Sequence, residues 1–113
     1  MDLMTERRQR MIRTQIEARG IASPEVLWVM GNIPRHLFVP EEIWDMAYED
    51  CALRIGLGQT ISQPYIVALM TALAEPHKTD RVLEIGTGTG YQTAVLAELC
   101  KSVTTIERIE ELH

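Results

Sequence analysis

The stretch Arg81-Val82-Leu83-Glu84-Ile85-Gly86-Thr87-Gly88-Thr89-Gly90-Tyr91 decides the fold. An apolar run carries one acid near its end and breaks into three alternating glycines. This order predicts a buried strand over 81–85, a tight glycine loop, and a helix over 91–100. Glycine has no Cβ to hold a ligand off, so such a loop lets a small molecule press against bare backbone. Residues 103–107 read as a second strand. Strand, helix and strand within 81–107 make a βαβ unit, which implies parallel strands.

N-terminal to this unit the pattern is mostly helical. Residues 4–19 form a helix with Met4, Met11, Ile12 and Ile16 on one side, and Gly20 ends it. Ser23-Pro24-Glu25 starts a second helix with a capping hydroxyl, a first-turn proline and an early carboxylate, and Gly31-Asn32 stops it. Residues 33–40 are bracketed by Pro34 and Pro40 and should be extended. A short helix follows over 41–48. Residues 53–64, with Gly56, Gly58 and a small polar run, read as a loop. Pro64 opens a helix through Tyr65, Ile66, Val67, Leu69, Met70 and Leu73 that is nearly apolar all round and therefore expected to be buried. Residues 108–113 read as the opening of another helix.

Composition narrows the function classes. The 113 residues carry a net charge of -5, which argues against a general affinity for nucleic acid. No run approaches the roughly 18 apolar residues of a membrane span. Cys51 and Cys100 are far apart and read as reduced thiols of a cytosolic protein. His77 and His113 have no metal-ligand spacing, so no metal is expected.

Three chemistries compete for the glycine loop. A phosphate-cradling P-loop needs Gly-Lys, which occurs nowhere. A dinucleotide fingerprint, G-x-G-x-x-G, needs a third glycine where Tyr91 or Thr93 stands. The remaining pattern, E-x-G-x-G-x-G, fits as Glu84, Gly86, Gly88 and Gly90. It resembles the loop of methyltransferases that use S-adenosylmethionine, a cofactor with a sulfonium, an amino-acid tail and a ribose but no phosphate. A carboxylate beside the loop suits that tail. Glu107, at the end of the second strand, sits where an acid can accept both ribose hydroxyls. Each feature also has a plainer reading. Glu84 can cap loop N–H groups, Glu107 can be a surface acid, and the glycines can merely permit a turn.

The chain as a whole resembles the protein-L-isoaspartate (D-aspartate) O-methyltransferases. The matching stretches are Pro34-Arg35-His36-Leu37-Phe38-Val39-Pro40, Tyr48-Glu49-Asp50, Gly58-Gln59-Thr60-Ile61-Ser62-Gln63-Pro64-Tyr65, the glycine loop through Gln92, and Ile106-Glu107-Arg108. The Gly58 to Pro64 motif is the most specific of these, and it argues against a small-molecule methyltransferase sharing only the glycine loop. The resemblance implies an α/β fold, with an N-terminal helical segment followed by the start of a Rossmann-like methyltransferase sheet. It implies a protein-repair reaction in which a methyl group moves from S-adenosylmethionine to the free α-carboxylate of L-isoaspartyl residues in damaged proteins.

The same resemblance makes Ser62 the active-site residue, orienting the acceptor carboxylate; the plainer reading of Ser62 is an N-cap for the helix that Pro64 begins. Gln59, Thr60 and Ile61 line the cofactor beside it. Thr89 matches a small hydroxyl residue of the loop, Glu107 the ribose-binding acid, and Arg108 lies beside the adenosine. His36 is read as structural.

Two departures from the family stand out. Arg54 replaces a frequent proline, and the family's chain runs to roughly twice this length with a larger sheet. The expected organisation is a single, incomplete methyltransferase domain: helices and active-site loop over 1–76, and a cofactor-binding βαβ over 77–113. The alternative function is a truncated, non-catalytic chain that keeps part of the cofactor site or self-associates through its open sheet edge.

Overall fold

The computed structural model describes residues 2–107. A helical rod comes first. Helix α1 (Leu3–Met11) is capped by the Asp2 carboxylate, which accepts from the Thr5 N–H at 2.7 Å. The rod then widens into a π-helical turn over Ile12–Ile16 and tightens into a 3₁₀ turn over Glu17–Arg19. Gly20, at φ 95°, terminates it in the left-handed region. Sequence periodicity predicts one regular helix here. Instead, Met11, Ile12 and Ile16 are all buried in the core, and the widened turn accompanies that packing.

Helix α2 (Pro24–Asn32) begins as predicted, with the Ser23 hydroxyl accepting from the Val26 N–H at 3.3 Å. It ends at Asn32, so the Gly31-Asn32 pair closes it as expected. Gly31 is buried where the two helices meet, and its carbonyl accepts from Arg8 Nε at 2.9 Å and Gln9 Nε2 at 3.0 Å. The glycine is thus a contact point as well as part of the helix's end.

The proline-bracketed stretch is not extended. Arg35–Phe38 forms a 3₁₀ turn closed by the Leu37 N–H on the Pro34 carbonyl. A second 3₁₀ segment, Glu41–Met46, is kinked at Ile43. Residues expected to be a loop form a hairpin: β1 (Leu53–Gly56) pairs antiparallel with β2 (Gln59–Ile61). Leu57 and Gly58 at its tip have φ of 56° and 70°, the positive values that a tight hairpin turn demands.

Helix α3 (Pro64–Ala74) starts at Pro64 and ends at Glu75, which adopts a left-handed φ of 48°. It buries only one face, through Val67, Ala68 and Thr71, while Met70 and Leu73 are exposed. Strand β3 (Arg81–Ile85) and strand β4 (Ser102–Ile106) pair in parallel, flanking helix α4 (Tyr91–Ala97). The register sets Val82 beside Val103 and Ile85 beside Ile106. The βαβ unit is therefore present, but β3 is not fully buried: Leu83 and Ile85 are 61% and 74% exposed. The expectation of a buried strand and a buried α3 came from apolar composition. Among the described residues, nothing covers these faces. The predicted helix over 108–113 and Arg108 lie outside the described residues.

The core gathers Met11 and Ile16 from the rod, Val26, Val29 and Met30 from α2, Val67 and Ala68 from α3, and Tyr91 and Val95 from α4. Ala47, Tyr48 and Ile61 join it from the segments between. The helical layer and the βαβ unit thus share one apolar interior, which holds the hairpin's exit beside the glycine loop.

Candidate active site

The glycine loop is built by its strand pairing. The Gly86 N–H donates to the Ile106 carbonyl at 2.7 Å, so the β3–β4 ladder runs one residue into the loop. Gly86, Gly88 and Gly90 have φ of 92°, 54° and 86°, which side-chain-bearing residues rarely adopt. A Cβ built on any of the three meets no other atom within 4 Å. The loop is glycine-rich for its backbone conformation and for the open space above it, not because neighbouring protein crowds it. The Thr89 hydroxyl accepts from the Tyr91 N–H at 3.2 Å and caps the start of α4.

The two acids divide the supporting work in an order the sequence does not reveal. The Glu84 Oε1 accepts from the hydroxyls of Thr93 on α4 and Thr105 on β4, the latter at 2.8 Å. It ties the three parts of the βαβ unit together. The Glu107 Oε2 accepts from the Gly88 N–H at 2.6 Å, so the loop-capping acid is Glu107 and not Glu84. The Thr87 and Thr105 hydroxyls, 2.6 Å apart, close a second link between loop and strand. Sequence reasoning assigned no part to Thr87, Thr93 or Thr105. Their signal is only that a threonine falls near each acid.

Facing this loop is the hairpin's exit. Thr60, Ile61 and Ser62 line the same cleft as Glu84, Gly86, Gly88 and Thr89, and the cleft encloses about 420 Å³. Val67, Met70 and Thr71 of α3 and Gln92 of α4 complete its walls. Gln59, Gly90 and Glu107 do not line it, although Glu107 holds Gly88, which does. Ser62 is exposed, and its hydroxyl makes no hydrogen bond among the described residues. The N-cap of α3 is Gln63, without a side-chain cap, so the capping reading of Ser62 fails. Its neighbour Gln63 donates from Nε2 to Asp50 at 2.8 Å, and Asp50 also pairs with Arg19. The Arg19 hydrogen bond, then that of Gln63, holds the Asp50 carboxyl below the usual range.

Beneath the cleft lies a residue to which the sequence assigns no role. Arg35 is fully buried. Its Nε donates to the Ala47 carbonyl at 2.6 Å, its Nη2 donates to the Ser62 carbonyl at 2.7 Å, and its guanidinium lies 4.9 Å from the Tyr91 ring centre. Burial lowers its pKa from the ordinary arginine value. Burial likewise pushes the Tyr91 hydroxyl up to about 12, with the nearby Arg35 charge opposing. His36 hydrogen-bonds the Tyr48 hydroxyl through Nδ1 at 3.0 Å and meets Trp44 edge to face, away from the cleft.

These features accord with what the chain resembles across its length. Residues 6–113 match the family model described as protein-L-isoaspartate(D-aspartate) O-methyltransferase. A protein-L-isoaspartate O-methyltransferase of Synechococcus is 55% identical over 98% of this chain and 46% of its own length. That of Syntrophus aciditrophicus is 57% identical over 99% of this chain and 51% of its own. The chain thus spans about half the length of the curated relatives it matches. Among solved structures, a Plasmodium falciparum protein-L-isoaspartate O-methyltransferase in complex with S-adenosyl-L-homocysteine superposes with a TM-score of 0.78 at 26% identity, covering 93% of this chain and 50% of that one. A second solved structure, a protein-L-isoaspartate O-methyltransferase, gives 0.80 at 29% identity, covering 93% of this chain and 35% of that one. By the family match and by fold, the chain belongs to the protein-L-isoaspartate(D-aspartate) O-methyltransferases.

Proposed function

We propose that this chain binds S-adenosylmethionine and supports methyl transfer to the free α-carboxylate of L-isoaspartyl residues in damaged proteins, a repair reaction. The observation that carries the reading is the shared cleft: the Thr60-Ile61-Ser62 exit of the hairpin and the Glu84–Thr89 glycine loop line one cavity. The residues present fit the cofactor, since the loop offers exposed backbone and open space and the two flanking acids suit polar groups without phosphate.

The bound cofactor supplies an electrophilic methyl group on a sulfonium. An acceptor carboxylate is ionised at neutral pH, so no general base is needed, and the protein's part is to hold and align. Ser62, with its hydroxyl unspent, orients the acceptor carboxylate by a hydrogen bond. Thr60 and Ile61 pack beside the reacting methyl, and Gln59 supports them from β2. Gly86 and Gly88 admit the cofactor to the backbone, Gly90 supplies the left-handed turn that enters α4, and Thr89 keeps that end of the loop in place. Glu107 takes the ribose hydroxyls; a carboxylate has about four acceptor sites, so it can hold Gly88 and the ribose together. Glu84 acts on the amino-acid tail and, through the two threonines, on the rigidity of the unit. Arg108 belongs to the adenosine end in this reading.

The net charge of -5 argues against a nucleic-acid substrate, and no helix among the described residues is long and apolar enough to cross a membrane. A cytoplasmic setting is in keeping with the free thiols of Cys51 and Cys100. Calorimetric titration with S-adenosylmethionine, followed by methyl transfer to an isoaspartyl peptide, tests the proposal. Saturable binding and transfer to the isoaspartyl but not the aspartyl peptide are expected. No heat at millimolar cofactor contradicts it.

A second reading is favoured by the exposed apolar side chains Leu83, Ile85 and Ile106 on the parallel strands. In that reading the chain retains the cofactor cleft without catalysis and associates through its open sheet. Binding of cofactor without methyl transfer, together with a mass above the monomer's in light scattering, is its expected signature.

A further inference from the structure

We propose that Arg35 is a positioning residue for methyl transfer: its buried guanidinium sets where Ser62 stands relative to the glycine loop. The inference rests on the functional reading above.

Three contacts of one side chain carry it. Arg35 reaches the Ala47 carbonyl, the Ser62 carbonyl and the face of Tyr91, and these belong to three separate segments. Tyr91 is the first residue of α4 and follows the last loop glycine directly. Ser62 is the residue proposed to orient the acceptor. One rigid group therefore spans the gap between the acceptor side of the cleft and the cofactor side. Arginine suits this because its planar fork donates in fixed directions, whereas a lysine ammonium on a flexible stem does not.

A purely structural reading of Arg35 is weak. The side chain is fully buried and makes no ion pair among the described residues. Among the described residues, its Nη1 and the Tyr91 hydroxyl lie buried together, and neither makes a hydrogen bond of good geometry. Burying a guanidinium without a carboxylate partner is costly, and the two hydrogen bonds that offset this cost hold the Ala47 and Ser62 carbonyls in place. What an apolar replacement cannot do is hold the Ser62 carbonyl. The neighbouring Gln63–Asp50–Arg19 link restrains the loop from the solvent side, so Arg35 is its anchor from within.

Hydrogen–deuterium exchange and methyl-transfer kinetics on the wild-type chain, Arg35→Met and Arg35→Lys test the proposal. In Arg35→Met the amides of residues 59–63 should exchange about tenfold faster or more, while those of β3 and β4 stay within about twofold of wild type. The turnover number should fall by up to about 100-fold with little change in KM for S-adenosylmethionine, as expected when a reacting group is misplaced rather than unbound. Arg35→Lys should recover part of both effects, and it carries the comparison if Arg35→Met does not fold. Unchanged exchange at 59–63, or a rise spread evenly through β3 and β4, overturns the proposal, as does a wild-type turnover number. A wild-type chain that transfers no methyl group overturns the functional reading instead, and the exchange result then decides the Arg35 proposal alone.

Discussion

Tyr91 shows how a single residue bears on stability and site together. Its ring is packed by Phe38 edge to face at 5.6 Å and by the Arg35 guanidinium, and among the described residues its buried hydroxyl makes no hydrogen bond of good geometry. The folded-state pKa of about 12 lies above the unfolded tyrosine value of about 10. The neutral hydroxyl is therefore favoured by folding. That contribution is whole below pH 10 and is lost as pH rises toward 12, at up to about 1.4 kcal/mol per pH unit. Urea unfolding across pH 9 to 12 should show this decline, and Tyr91→Phe should flatten it. The same substitution should raise stability at pH 7 by up to about 1 kcal/mol, because it removes a buried hydroxyl that makes no hydrogen bond of good geometry among the described residues. His36 carries a weaker switch of the opposite sense. Desolvation, the leading cause, lowers its pKa, so stability is full above the unfolded imidazole value and falls as pH drops through the folded one.

At the scale of elements, the sequence is legible where local chemistry and tertiary packing agree. Ser23-Pro24 starts α2, Pro64 starts α3, and the strand boundaries 81–85 match those predicted. It is not legible where packing overrides the local signal. Gly31 reads only as part of a stop, yet its carbonyl is also where the first helix docks, through Arg8 and Gln9. A Cβ there would meet its nearest atoms, Gln9 Nε2 and Ile12 Cγ1, at 3.7 and 3.8 Å, which is ordinary contact. Gly31→Ala should therefore stabilise the protein by about 0.5–1 kcal/mol through helix propensity, measured by thermal unfolding. Gly88→Ala should do the opposite, because φ of 54° strains any side chain there despite the open space. The hairpin of β1 and β2 was hidden because Leu57, rather than asparagine, occupies a positive-φ turn position. Within the site, motif spacing singles out Glu84 and Glu107, the family resemblance singles out Ser62, and Ser62 and Glu84 line one cleft. Their hydrogen-bond partners are not legible in this way, because threonines and a buried arginine from distant segments supply them.

For the whole molecule, the helical layer and the βαβ unit are joined around Tyr91, Val95 and Ile61, which places the hairpin's exit across from the glycine loop. The exposed apolar faces of β3, β4 and α3 make the open sheet the region most prone to association, since such patches mark interaction sites. Replacing Ile85, which is 74% exposed, by lysine should reduce any concentration-dependent mass in sedimentation without lowering the unfolding midpoint. The central claim is that the two sides of the cleft act on one methyl transfer. Its most direct test is the rate of labelled methyl transfer from S-adenosylmethionine to an isoaspartyl peptide, comparing the wild-type chain with Ser62→Ala. The account predicts transfer by the wild type and a loss of about 10–100-fold in the turnover number of the variant, the worth of one hydrogen bond to a charged acceptor. No transfer by the wild type, or equal rates for the two proteins, would contradict it.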